Sequence, residues 1–131
     1  MASLPDIRTE ADVDVLVKAF YAQMPHDPVI GHFFADPAHF NWDTHIPRMV
    51  LFWSAVLLGT PGFSGNALEK HLQLHQRIPM SEAHFRHWLA RWRSTLEAHF
   101  AGPKAEEAYQ RAEHIARVIY HKVAPEATAG L

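Results

Sequence analysis

Apolar residues recur along this chain at intervals of three and four, the spacing that gathers them on one face of an α-helix. Thr9-Glu10-Ala11-Asp12 supplies a capped helix start. Val13, Leu16, Val17, Phe20 and Met24 follow at helical spacing, until Pro25 and Pro28 stop the run. Val29 to Asp36 is a short aromatic stretch, with Gly31 ahead of Phe33-Phe34. A second helix is expected from Asp43 or Thr44, with Pro47 placed in its first turn, where amides lack intrahelical partners. Ile46, Met49, Val50, Trp53, Val56 and Leu57 form its apolar face, and Gly59-Thr60-Pro61-Gly62 ends it. A short helix from about Asn66 to Gln76 carries Leu68, His71, Leu72 and His75. After Pro79, Ser81 caps a helix whose stripe is Phe85, Trp88, Leu89, Trp92 and Leu96. Gly102-Pro103 separates it from a last helix with Ala108, Ala112, Ile115, Ile119 and Val123 in phase, and the tail from Pro125 is expected to fray. The period-2 alternation of half-buried strands is absent, so the predicted class is all-α.

Composition narrows the functions this fold can serve. The 131 residues suffice for one domain, with a core from about residue 9 to residue 123. Apolar residues make up 48% and charged residues 20%, which is a globular balance rather than a disordered one. A net charge of -2 and an isoelectric point near 6.6 argue against a nucleic-acid partner, which demands a basic surface. Cysteine is absent, and with it go disulfides, thiolate nucleophiles, cysteine-based zinc sites and iron–sulfur clusters. The same absence rules out Cys-x-x-Cys-His, so any haem would be held without thioether links. Met1 to Glu10 does not read as a signal peptide. The apolar run Met49 to Leu58 is broken by Ser54 and too short to span a bilayer. A cytoplasmic protein with no membrane partner is therefore expected.

Eleven histidines are several times the usual share, and histidine is the commonest metal ligand. His71 and His75 stand four apart on one helical face, where they read either as metal ligands or as two solvent-facing side chains. The motif His-Glu-x-x-His is absent, which weakens a zinc hydrolase. Tyr21 on its apolar face, and Trp88 and Trp92 on theirs, read as core by pattern alone; His45, at a helix start, reads as exposed. Together these residues have a different character. Phe33, Phe34, Phe52, Trp53, Phe85, Trp88 and Trp92 are many large rings for so short a chain, accompanied by a few inward-capable polar groups (Tyr21, His45, His71 or His75). A core enclosing something large, flat and apolar would use them, and haem fits that description.

In order and at their separations, these segments resemble the truncated haemoglobins, specifically the third group. The likeness runs from about Asp12 to Val123 through Ala19-Phe20-Tyr21, Asp27-Pro28-Val29-Ile30-Gly31-His32-Phe33-Phe34, Trp42-Asp43-Thr44-His45 and Phe52-Trp53-Ser54-Ala55-Val56-Leu57-Leu58-Gly59. It continues through His75-Gln76-Arg77-Ile78-Pro79-Met80, His84-Phe85-Arg86-His87-Trp88-Leu89 and Arg111-Ala112-Glu113-His114-Ile115-Ala116. The Gly-Gly pairs usual in the first two groups are absent.

The resemblance implies a two-over-two helical sandwich, a shortened globin fold, around a non-covalent haem b. It implies that Tyr21, His45 and Trp88 take the distal positions that stabilise a bound ligand. Phe34 would pack on the haem, and Phe52 and Trp53 would line its cavity beside Met49. Arg48, Lys70 and Arg77 are candidate partners for the haem propionates. The iron ligand has two candidates. Counting forward from His45 along the shorter members' pattern lands on His71. Counting back from Trp88, with Ile78-Pro79 matched on the way, lands on His75, which is the preferred assignment. Dioxygen, nitric oxide and carbon monoxide are the implied small ligands. Two or three donors facing the ligand suit ligand holding, nitric-oxide detoxification or peroxidase-like chemistry more than transport, and turnover would need a reductase. The residues alone leave two other readings: a metal-dependent enzyme using His71 and His75, and a helical interaction module whose aromatics are plain core.

Overall fold

The helix boundaries follow from local hydrogen-bonding chemistry. The computed structural model describes residues 3–37, 40–63, 70, 73–75 and 78–123. Helix α1 spans Glu10–Tyr21. Thr9 Oγ1 accepts from the Asp12 amide at 3.2 Å, and Asp12 Oδ2 accepts from the Thr9 amide at 3.1 Å and the Arg8 amide at 2.9 Å. This reciprocal box satisfies amides that a helix start otherwise leaves without partners. The accepted Arg8 amide holds the Asp12 carboxyl below its ordinary value, against the opposing effect of burial; the Thr9 amide and hydroxyl and the Arg8 charge act the same way. At the other end Gln23 Nε2 donates to the Ala19 carbonyl, and Met24, fully buried, lies in a 3-10 turn, Met24–His26, beyond the helix.

A second 3-10 turn, Gly31–Phe34, carries the aromatic pair inward. Gly31 is required there, because a Cβ would fall 2.7 Å from the Met24 carbonyl oxygen. Helix α2 spans Trp42–Leu58, one residue earlier than expected, because Asn41 Oδ1 caps the Asp43 amide at 2.9 Å. Pro47 therefore sits inside the helix rather than in its first turn, and α2 forgoes the bond to the Asp43 carbonyl. Gly59 closes α2 at φ +69°, the left-handed conformation that glycine adopts without strain. Of the short helix expected from Asn66 to Gln76, Lys70 and residues 73–75 are described, and they are helical. Ser81 caps α3, Glu82–His99. Helix α4 runs from Pro103 to Val123. The described residues contain no strand.

Helices α1 and α2 pack as one pair and α3 and α4 as the other; α1 meets α3 and α2 meets α4 across the interface. This is the two-over-two sandwich. Its interior works by size contrast. Ala105, Ala108 and Ala112 are buried on α4, while α3 buries Trp92 and Leu96. The small α4 side chains leave room for Trp92, whose indole N–H donates to the Ala108 carbonyl at 3.2 Å. Val13, Leu16, Val17 and Phe20 complete this part from α1 with no exposed surface.

Two carboxylates tie the periphery down. Asp6 accepts from the amides of Lys104 at 3.0 Å and Ala105 at 2.9 Å, so the N-terminal segment caps α4 from a distant place in the chain. Asp27, with its side chain fully buried, accepts from the Val29 and Ile30 amides through Oδ1 and from His87 Nε2 and Arg91 Nε through Oδ2, all between 2.7 and 2.9 Å. Burial opposes ionisation of Asp27, but the Ile30 amide, the His87 ring and the Val29 amide outweigh it and hold the carboxyl well below the carboxylate range.

Candidate functional site: an aromatic cavity with a buried tyrosine

A cavity of about 520 Å³ opens between the helix pairs. Its walls include the end of α1, the aromatic 3-10 turn, one face of α2, and the facing sides of α3 and α4. Most of that wall is apolar, including Phe34, Met49, Phe52, Phe85, Trp88 and Ile115.

Tyr21 reaches it as the last residue of α1. Burial pushes its phenol up from the ordinary value, so the hydroxyl keeps its proton and remains a hydrogen-bond donor. The Tyr21 ring lies 4.8 Å from the His45 ring at 90°, 6.1 Å from Phe34 and 5.9 Å from Trp42. His45 belongs to the first turn of α2. Pattern alone placed it in solvent; here it is half-buried against Tyr21 and Phe40, with its Nε2 atom inside. Trp88 sits one turn before Trp92 on α3, with parallel rings 6.2 Å apart, and meets Phe20 edge-on at 6.0 Å. Trp53 stacks on Trp92 from α2 at 4.8 Å.

The expected residues Tyr21, Phe34, His45, Arg48, Met49, Phe52, Trp53 and Trp88 all line this one cavity, and Lys70 lines it too. His75 is half-buried and is not among the lining residues; its Nδ1 accepts the Met80 amide at 2.9 Å. His71 and Arg77 lie outside the described residues.

No family model matches the chain. Sequence comparison finds the group 3 truncated hemoglobin ctb of Campylobacter jejuni, 28% identical over 104 residues that cover 77% of this chain and 80% of that protein. Among solved structures, the crystal structure of the group III truncated hemoglobin from Campylobacter jejuni matches with a TM-score of 0.79. It covers 92% of this chain and 95% of that one at 23% identity. The chain has the fold of a group III truncated haemoglobin.

The cavity also includes residues that the linear pattern left without a role. His84 lines it from the first turn of α3, Phe40 and Asn41 from ahead of α2, and Gln73, Leu74 and Met80 from the segment before α3. The signal for His84 was its position three residues after the cap Ser81, where a capping-box acceptor belongs. The Asp27–His87–Arg91 cluster likewise lacked a linear signal, because its members are about sixty residues apart. A second hollow on the outer face of α3 and α4, lined by Arg86, Arg93 and Tyr109 among others, is open to solvent. Its cations are already engaged: Arg86 with Glu82, and Arg93 with Glu97, Glu106 and the Tyr109 ring. Among the described residues no helix is long and apolar enough to cross a membrane, and no three His, Asp or Glu side chains gather as a metal site.

Proposed function

We propose that this truncated globin binds haem b non-covalently in the aromatic cavity and through it takes up small diatomic gases. The observation that carries the reading is a protonated tyrosine and a histidine set edge to face in an otherwise apolar, aromatic cavity. Its volume falls within the about 300–1,000 Å³ of cofactor and small-molecule sites. The donor set fits the group as well. Phe34, Phe52 and Trp88 offer flat apolar surface, and Arg48 and Lys70 offer cations for two carboxylates. Bound haem would supply reversible ligation of dioxygen, nitric oxide or carbon monoxide. Tyr21 O–H and Trp88 N–H would donate to the negative end of such a molecule and slow its escape, with His45 beside them as a gate. That arrangement favours holding a gas, detoxifying nitric oxide or peroxidase-like redox work, with electrons from a reductase, over transport.

Of the two candidates for the iron ligand, His75 is the preferred one, and one contact in its ligand-free state bears on it. A neutral imidazole that accepts the Met80 amide at Nδ1 carries its proton on Nε2, and a protonated nitrogen has no lone pair for a metal. The preferred assignment to His75 would require that hydrogen bond to break. The test is the absorption spectrum after stoichiometric hemin, ferric and ferrous, with and without carbon monoxide, for the unaltered chain, His71→Ala and His75→Ala. A sharp Soret band that shifts with carbon monoxide, kept in His71→Ala and lost or altered in His75→Ala, is expected. The opposite pattern moves the ligand to His71. No specific band in the well-folded unaltered chain refutes haem binding.

A further inference from the structure

The residue that closes one wall of the cavity is a titrating one. Ser81 and His84 form a capping box at the start of α3: the His84 amide donates to Ser81 Oγ at 3.3 Å, and the Ser81 amide donates to His84 Nδ1 at 2.9 Å. The position normally holds glutamate or glutamine, which accept at every pH near neutral. An imidazole accepts at Nδ1 only while neutral; protonated, both ring nitrogens are donors. The His84 ring also packs edge-on against Phe33 at 4.9 Å and lines the cavity, as do Met80 and Phe85 on either side of the box.

We propose that His84 is a positioning residue that makes one cavity wall pH-sensitive: neutral, it pins the start of α3 against Phe33; protonated, it releases Ser81 and loosens that wall. The groups facing it all oppose its charge or are already engaged. His32 from the aromatic 3-10 turn lies 5.5 Å away, ring to ring. His87, one turn along α3, is held by Asp27, which also engages Arg91. Glu82 on the same turn pairs with Arg86. Across Met80 stands His75, engaged with the Met80 amide. Burial, then the charges of His32 and His87, lower the His84 value below the ordinary 6.5. A cation in the first turn of α3 also opposes the helix dipole. The sign follows. A histidine with a depressed folded value contributes stability that is present at neutral pH and lost as the pH falls below its unfolded value.

The test is nuclear magnetic resonance of the full chain without haem, following the His84 ring nitrogens and the Ser81 amide proton across the pH range of histidine titration, with binding of the dye anilinonaphthalene sulfonate to the cavity followed in parallel. The expected result is a neutral Nε2–H tautomer for His84 and a Ser81 amide shift with the midpoint of His84. Dye binding should rise at the same midpoint. In His84→Glu and His84→Gln, which keep an acceptor without an imidazole, the Ser81 shift and the dye signal should stay flat across that range. An Nδ1–H tautomer, a Ser81 amide indifferent to His84 titration, or an unchanged dye response in a folded variant overturns the proposal. No haem is used, so failure here leaves the haem reading standing, and failure of haem binding leaves this wall to be judged on its own.

Discussion

Trp92 and Trp88 stand one turn apart on the same stripe of the same helix, yet they belong to two different regions. Trp92 is 1% exposed, faces the small side chains of α4, and donates its N–H to a backbone carbonyl. Trp88 is half-buried and faces open volume. Around Trp92 the interior is closed by buried Phe20 and Trp53 in ring contact and by the Ala108 carbonyl of α4. Around Trp88, Phe20 and Trp92 cover one side and the cavity lies open on the other. A stripe of apolar residues at helical spacing therefore specifies which face turns inward. Whether the space it turns toward is filled depends on the sizes opposite it, on other helices.

The largest test of this contrast is truncation of each tryptophan in turn. Trp92→Ala should cost about 3–5 kcal/mol in denaturant unfolding, because a rigid interior cannot collapse on the hole and the Ala108 carbonyl loses its donor. Trp88→Ala should cost under about 2 kcal/mol, since its wall already borders empty space. Equal losses would mean that the cavity is part of the ordinary core.

Asp27 comes next. Asp27→Ala leaves two amides and the His87 and Arg91 groups without their acceptor, and should cost about 2–3 kcal/mol. Because its folded carboxyl lies far below the ordinary 3.8, its stabilisation is present above that value and is lost as the pH falls below it. Acid unfolding of Asp27→Asn should therefore be flatter below about pH 4 than that of the unaltered chain. An unchanged acid limb would contradict the assignment.

Smaller effects are expected at the rim. Asp6→Ala, which uncaps α4 from the N-terminal segment, should cost about 1 kcal/mol, read as a lowered midpoint of thermal unfolding. Tyr21→Phe should change stability by less than about 1 kcal/mol, because it removes a hydroxyl from a wall and leaves the edge-to-face ring contacts in place. Its effect belongs to ligand dissociation, which should quicken in the haem-loaded protein.

Much of the fold was legible because its signals are local. Thr9, Ser81, Gly59 and Pro103 mark helix ends by their own chemistry, and the stripes of α1, α3 and α4 lie where the spacing put them. Pro47 was misplaced by one turn, since the cap Asn41 gives no apolar signal and the start of α2 was read from Asp43. Tyr21, His45 and Trp88 were individually ambiguous. They acquired meaning only as a set, and the fold brings that set to one cavity. The hydrogen bond from the Met80 amide to His75 Nδ1 joins residues five apart and leaves no mark in the linear pattern. His84 escaped for a related reason: its role joins a capping position, legible in the sequence, to a cavity wall that is not.

The central claim is that the Trp88 side is built to be filled by a flat cofactor and the Trp92 side is already full. Trp53 and Trp88 line the cavity, so an absorbing group seated there must quench their fluorescence. Hemin titrated into the purified chain should quench tryptophan emission to a sharp one-to-one endpoint and raise the thermal midpoint, as any ligand that binds only the folded state does. Weak, unsaturable quenching with an unmoved thermal midpoint would contradict the account.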